Sequence, residues 1–459
     1  MQPSLPIPSP NLSHWHQTTR SFPHLNKNSS ANVPPSTQYL IIGSGICGAL
    51  TAYELINGGI SGKDVLILEA REAVSGATGR NAGHIRPDAF HGFPRFSSIH
   101  GPEQARLILE HERVVLRNVK DFVEANNVDC DFNYTTTFET CLNSDYKEYL
   151  VNAFAEFCDA GGDVSHIKFY EGEEAKIKTR VPAALCAYEW PAASNHPAKL
   201  CHWILSDFIR KGGKLWTHCP ATSILEHTAS TSSSTRWDVF TPRGVVSAQT
   251  VIHCTNAYAA FLLPELADTI TPRRAQGHSY VPPDSLSGAN TLESTMSLRY
   301  GPKHFFSVNP LRDGTLILGG GASRQDADWT PEYLQDRFTF DDSTHNPRIM
   351  ANSIDEFSML AFGAPSVRIE RHGEGFSHVW TGIVGETPDA VPLVGPIDGL
   401  DGQWICAGFN GHGMARIFQC APGLVKLIMG EAWSATGMPE CFRFSKDRFG
   451  YIRKRKGDK

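Results

Sequence analysis

Unbroken apolar runs and segments with apolar positions at helical spacing alternate along this chain. Tyr39-Leu40-Ile41-Ile42 is a continuous apolar run ending at glycine, the pattern of a buried strand. Residues 49–56 are apolar and Ala-rich and predict a helix, and Val65-Leu66-Ile67-Leu68 predicts a second buried strand. Residues 102–127 carry Ala105, Leu109, Val114, Val115, Val119, Phe122 and Val123 on one face, predicting a long amphipathic helix. Paired short strands are expected over 130–142, and helices over 146–160 and 197–211, each stopped by a Gly-Gly pair. Strand-like pieces follow at 214–217, 221–226, 236–241 and 244–247, with a Ser/Thr-rich hairpin tip at 228–235. Residues 250–254 form another buried run. Longer strands are expected at 276–281, 303–309 and 314–319, the last two joined through Arg312-Asp313-Gly314. The remainder reads as helix over 329–363, extended chain over 367–380, a strand at 404–407 and a closing helix over 415–429.

The order of these elements predicts an α/β fold with a discontinuous dinucleotide-binding domain, 37–95, 196–270 and 376–435. The insertions 96–195 and 271–375 would form a second domain dominated by an antiparallel sheet. Residues 1–36, rich in Pro, Ser, Asn and His, are expected to be disordered, and 436–459 to be a basic tail containing Arg453-Lys454-Arg455-Lys456.

Composition narrows the class only a little. The chain has 459 residues, 41% of them hydrophobic, and a net charge of −6, which gives no reason to expect nucleic acid. Its 11 cysteines are an odd number without CxxC pairs, and its 19 histidines lack metal-ligand spacing. With no secretory h-region and no long charge-free apolar run, the expectation is a cytoplasmic protein with no membrane, metal or nucleic-acid partner.

The most informative local pattern is Gly43-Ser44-Gly45-Ile46-Cys47-Gly48, set between the first strand and the first helix, with the acid Glu69 closing the second strand. Strand, Gly-x-Gly-x-x-Gly, helix, strand and acid is the arrangement that holds the ADP half of a dinucleotide. Gly43 permits the tight turn, Gly45 lets backbone approach the pyrophosphate, and Gly48 lets helix and strand pack closely. The helix N-terminus offers free N–H groups, and Glu69 can accept ribose hydroxyls.

Two further motifs extend this reading. The Gly-rich segment 74–84 follows the acid, and near the C-terminus Gly385-Glu386-Thr387-Pro388-Asp389 precedes Gly408-Phe409-Asn410-Gly411-His412-Gly413-Met414. Taken together, the motifs resemble the D-amino-acid oxidase superfamily of FAD-dependent oxidoreductases, which includes glycine and sarcosine oxidases, dimethylglycine dehydrogenases and γ-glutamylputrescine oxidases. The resemblance implies a Rossmann-like FAD-binding domain with an antiparallel-sheet substrate domain. It places Glu69 at the adenosine ribose and counts Ala70 and Arg71 beside it among the cofactor-binding residues. Ser75, Gly76, Ala77, Thr78, Arg80, Asn81, Ala82, Gly83 and His84 would pass the diphosphate and isoalloxazine. Thr222 or Ser223 would lie near the adenine, and Thr255, Asn256 and Ala257 beside the cofactor. Gly408, Asn410, Gly411, His412, Gly413 and Met414 would bring N–H donors to the pyrimidine end of the flavin.

The catalytic candidates are His84, His412, Trp380 and Arg274. Each has a plainer reading: a satisfied core histidine, a helix-capping turn residue, ordinary core and a surface cation. Arg80 and Asn81 could likewise simply satisfy loop carbonyls. Covalent attachment in some relatives uses a histidine in the loop after the acid, where this chain has Arg80, or a cysteine upstream of Thr-Pro-Asp, where residues 381–386 contain none. Non-covalent FAD is therefore expected, with His84 as the fallback attachment point. The implied activity is oxidation of a C–N bond of a small amine or amino acid by hydride transfer to flavin, with dioxygen as acceptor and hydrogen peroxide as product. A dehydrogenase with another acceptor, a tailoring oxidase acting on a larger substrate and a non-catalytic flavin-binding protein remain as alternatives.

Overall fold

The computed structural model describes residues 2–227, 236–302, 304–320, 336–362, 371–445, 447–448 and 450. Its first sheet is built around the apolar run found in the sequence. Strand Ser36–Ile42 pairs in parallel with Gly244–His253 on one side and Val65–Leu68 on the other. Lys214–Trp216 and Gln403–Ala407 extend the parallel set, and Leu393–Pro396 closes one edge antiparallel. Ser223–Glu226 and Trp237–Thr241 form an antiparallel flap on Gly244–His253. Leu40, Ile41, Leu66, Ile67, Val251 and Ile252 are fully buried. A parallel strand covered on both faces needs this continuous apolar sequence rather than alternation. Helices Ile46–Asn57, Pro102–Ala125, Pro197–Arg210 and Ile417–Ile428 pack together over one face.

The second sheet runs in the order Gly375–Glu386, Thr271–Val281, Leu316–Gly320, Phe305–Pro310, Thr295–Arg299, Asn133–Cys141, Cys186–Ser194 and His84–Ile85. Its pairings are antiparallel except that between Thr295–Arg299 and Asn133–Cys141. Phe138, Tyr280, Leu298, Phe306, Leu318 and Phe357 form its core. No described helix is long and apolar enough to cross a membrane.

Several sequence expectations change. Residues 130–142 hold one strand, Asn133–Cys141, whose partner Cys186–Ser194 was not anticipated. Residues 84–85 and 376–386, grouped with the dinucleotide domain, hydrogen-bond into the second sheet. Helix within 329–363 is confined, among the described residues, largely to Pro347–Phe362. The hairpin tip 228–235 and the cluster Arg453–Lys456 lie outside the described residues. Part of the expected tail is packed: Phe442 and Phe444 are buried, and Arg448 pairs with Asp389.

The largest difference concerns the N-terminal segment, which is ordered against the protein. Its short helix His14–Gln17 carries a Ser13 capping box, and Trp15 is 1% exposed. Phe22 stacks on His202 with ring centroids 3.8 Å apart. Backbone bonds then tie Leu25 to Ala73, Lys27 to Thr217 and Val33 to Arg243. A few large anchors hold a segment whose average composition is that of a disordered chain.

Candidate active site

The turn after the first strand is shaped by glycine at the positions where the chain demands it. Gly43 has φ +108°, and a Cβ there would lie 2.8 Å from the Cys254 carbonyl oxygen. A Cβ on Gly48 would lie 2.0 Å from the Gly43 oxygen, so only glycine lets this helix sit so close to the strand. Gly45 gives helix Ile46–Asn57 no side-chain cap; the first N–H, that of Ile46, donates instead to Thr78 Oγ1 at 2.9 Å, and both residues line the site. Glu69 braces the turn: Oε2 accepts from the Ser44 N–H at 3.0 Å and from Ser44 Oγ at 2.8 Å, and Oε1 accepts from the Arg71 N–H at 2.9 Å.

The glycine turn opens into a cleft that, with the solvent space at its mouth, spans about 1450 Å³. Ile42, Gly43, Gly45, Ile46, Cys47, Leu68, Glu69, Ala70 and Arg71 line its first part, and Gly76, Ala77, Thr78, Arg80 and Asn81 continue it. Cys254, Thr255, Asn256, Ala257, Tyr258, Phe261 and Leu262 form the facing side. Toward the second sheet the lining passes to Ala275, Gly382, Ile383, Val384, Phe409, Gly411, Gly413, Met414 and Ile417. Leu5, Pro6, Pro220 and Ala221 complete it.

Side-chain hydrogen bonds hold these walls. Asn256, with φ +46°, accepts at Oδ1 from the Gly408 and Phe409 N–H groups at 3.0 and 3.1 Å. Asn410 Oδ1 accepts from the Thr387 N–H at 2.8 Å. On the opposite wall Asp342 receives two hydrogen bonds from Arg71, at 2.9 and 3.1 Å, and lies 3.5 Å from Arg80. Burial draws the Arg80 guanidinium down to about 10, against the pull of Asp342. Behind the last turn, Glu112 is fully buried, 2.9 Å from Arg416 Nε and 3.4 Å from His412 Nδ1. Burial alone would raise this carboxyl; His412 and Arg416 outweigh it and hold it at about 2.

The cleft suits FAD on chemical grounds. It joins a cradle that a Cβ would fill, the N-terminus of helix Ile46–Asn57, a carboxylate at the end of the second strand and apolar walls reaching the second sheet. Two hydroxyls on its lining, Thr255 Oγ1 and Tyr258 OH, are buried with no hydrogen-bond partner among the described residues. A polar ligand in the cleft would meet that need.

The candidates named from the sequence divide sharply. Of the cofactor set, Ser44, Gly48, Ser75, Ala82, Gly83, His84, Gly408, Asn410 and His412 do not border the cleft. Ser44, Gly48 and Asn410 act by shaping it. Thr222 and Ser223, at the flap, do not border the cleft, whereas their neighbours Pro220 and Ala221 do. Arg80 borders the cleft but gives its guanidinium to Ser75 O, Thr381 O and Asn11, and Asn81 braces its own loop through Thr78 O and the Gly83 N–H.

None of the four catalytic candidates borders the cleft. Trp380 is fully buried, donates to Arg80 O at 2.8 Å and packs over Gly277: it is core, not a cage wall. Arg274 is paired with Asp336 at 2.7 Å, while its neighbour Ala275 faces the cleft. His84 sits in a short strand opposite Ser194, with both ring nitrogens buried and without hydrogen-bond partners among the described residues. Burial, aided by Arg86, lowers its pKa to about 3. His412 turns back toward Glu112, although Gly411 and Gly413 on either side line the cleft. The residues missed include Leu5, Pro6, Tyr258, Phe261, Leu262, Ile383 and Val384. Gly382 carried a signal, because a glycine inside a strand marks a close approach, here to Arg80 Cβ.

Residues 38–425 match the family model described as DAO, FAD dependent oxidoreductase. The probable oxidoreductase OrdL of Rhizobium meliloti (strain 1021) is 22% identical over 408 residues, 85% of this chain and 83% of that protein. The mitochondrial sarcosine dehydrogenase of Homo sapiens is 23% identical over 445 residues, which is 92% of this chain but 42% of that protein. The chain thus spans less than half of that relative. Glycine oxidase from Geobacillus kaustophilus superposes with a TM-score of 0.68 at 16% identity, covering 90% of this chain and 99% of that one, a likeness of fold.

Proposed function

Because the chain belongs to the DAO family of FAD-dependent oxidoreductases, we propose that it oxidises a C–N bond of a small amine or amino acid, holding FAD non-covalently and passing electrons to dioxygen. The observation that carries this reading is the continuous cleft running from the glycine turn to the second sheet. Its relatives include sarcosine dehydrogenase and glycine oxidase by name, which favours an amine substrate.

When bound, FAD supplies the hydride acceptor. The chain's own residues do the rest. Gly43, Gly45 and the N-terminus of helix Ile46–Asn57 receive the diphosphate, and Glu69 takes the ribose. Asn256 accepts from the Gly408 and Phe409 N–H groups and so fixes the start of the turn that brings Gly411, Gly413 and Met414 to the cleft lining. The apolar lining from Ala275, Ile383, Val384 and Phe409 disfavours an ammonium ion and so keeps the amine in its neutral, reactive form. Orientation in such a cage replaces a strong catalytic base. Non-covalent binding is supported by the lining: it contains no histidine, and its cysteines, Cys47 and Cys254, lie at the glycine turn.

The test is anaerobic mixing of the flavin-loaded protein with a panel of N-methyl amino acids, glycine, proline and acylated polyamines. Bleaching of the flavin by a panel member, followed by peroxide release on admitting air, is the expected result. Bleaching without oxygen uptake would replace the oxidase reading by a dehydrogenase. No bleaching by any amine would overturn C–N oxidation.

A further inference from the structure

Residues 2–19 precede the family match, which starts at residue 38, yet they run along one wall of the cofactor cleft. The segment has two parts. From Asn11 to Thr19 it is firmly fixed. The Asn11 N–H donates to Asp342 O at 2.9 Å, and Asn11 Oδ1 and its carbonyl receive Arg80 Nη1 and Nη2 at 3.0 and 2.7 Å. Asn11 Nδ2 donates to Thr381 Oγ1 at 2.9 Å. Ser13 Oγ donates to Gly79 O, Trp15 Nε1 donates to Asn81 O at 2.7 Å, and Ser13, Trp15 and His16 are buried.

Residues 2–10 are held differently. Among the described residues, one hydrogen bond reaches them, from Arg71 Nη1 to Ile7 O at 3.3 Å. Leu5 and Pro6 nevertheless border the cleft beside Arg71. Pro3, Pro6, Pro8 and Pro10 stiffen this stretch, remove four N–H donors that would otherwise need partners, and lower the entropy lost when it lies down on a ligand.

We propose that residues 2–10 are a strap that completes the cofactor site, with Leu5 and Pro6 covering bound FAD and Asn11 serving as the pin about which the strap opens. The proposal rests on the assignment of this cleft to FAD. It explains why Arg80, expected at the flavin, spends its guanidinium on Asn11. The strap confers retention without a covalent bond, because FAD cannot leave until Leu5 and Pro6 lift from the cleft.

The experiment compares the full chain, the chain lacking residues 2–10, the Leu5→Ser/Pro6→Ser double variant and Asn11→Ala. Release of FAD on dilution is followed by recovery of flavin fluorescence, and the apo forms are compared by thermal melting. Deletion should speed release by about tenfold or more, as expected for uncovering two apolar side chains. The double variant should follow the deletion and Asn11→Ala should give a smaller increase, with apo melting of the double variant unchanged. Digestion of the full chain should cut within residues 2–10 more slowly once FAD is added. Release within about twofold of the full chain for both the deletion and the double variant would overturn the strap. Failure of the full chain itself to take up FAD would instead remove the cofactor assignment on which it rests.

Discussion

The two walls of the cleft are built by different means. The wall formed by Gly43–Cys47 and Glu69 is set by backbone sterics: glycine is required at Gly43 and Gly48, where a Cβ would strike the Cys254 and Gly43 carbonyls, and a carboxylate braces the turn. The adjoining wall, Arg71–Asn81, has no such intrinsic shape. Asp342 grips it from far along the chain and Asn11 from before the region that matches the family model, through arginines that are themselves buried. The first wall is specified by conformation and the second by buried charge. They should therefore fail in different ways.

The sharpest break is Gly48→Val. With even a Cβ placed 2.0 Å from Gly43 O, the helix and strand must separate. Loss of measurable FAD binding and of more than about 4 kcal/mol of stability is expected, read by flavin retention and denaturant unfolding. Gly76→Ala on the other wall is the matched control: its Cβ meets nothing within 4 Å, and apo stability should not change. Next comes Asp342→Ala, which leaves Arg71 buried without its carboxylate. A cost of about 3 kcal/mol in melting experiments is expected, with Asp342→Asn milder. An unchanged melting temperature in Asp342→Ala would erase the distinction between the walls.

Glu112→Gln addresses the turn that both walls share. It weakens the hold on Arg416 and His412 and should cost about 2 kcal/mol. It should also shift the bound-flavin absorption bands, because the turn carrying Gly411 and Gly413 moves; a purely structural role would leave the spectrum alone.

The gentlest effect is that of pH. Burial lowers His84 and His202 to about 3, and His111 and His253 to about 4. The unfolded chain then binds more protons than the folded one between those values and the ordinary imidazole value near 6.5. Their contribution is complete above that value and declines as the pH falls. Glu112, held at about 2, adds to the loss below the ordinary carboxyl range. The melting temperature should fall steadily from pH 6.5 to 4; a flat profile would mean that these imidazoles are solvated.

This contrast also explains what could be read from the chain. The first sheet was legible because parallel strands covered on both faces must be apolar throughout, and Gly43, Gly45, Gly48 and Glu69 do their work within one strand–turn–helix–strand unit of consecutive sequence. The second wall was not. His84 looked like an active-site residue until its strand paired with Ser194 and turned both ring nitrogens into the protein. Trp380 could be read from the sequence either as a wall of the substrate site or as ordinary core, and Gly277 on the neighbouring strand leaves the space that makes it core. The N-terminal segment carries too few apolar residues to announce its packing, yet Trp15 and Asn11 suffice to fix it. Such placements depend on partners hundreds of positions away, and no local pattern encodes them.

The most direct test of the account is the visible absorption spectrum of the purified protein, recorded before and after acid precipitation. Oxidised-flavin bands that pass wholly into the supernatant, and that return when FAD is added to the stripped protein, are the predicted result. A colourless protein that takes up no added FAD would contradict the assignment of the cleft, and colour retained in the pellet would contradict its non-covalent hold.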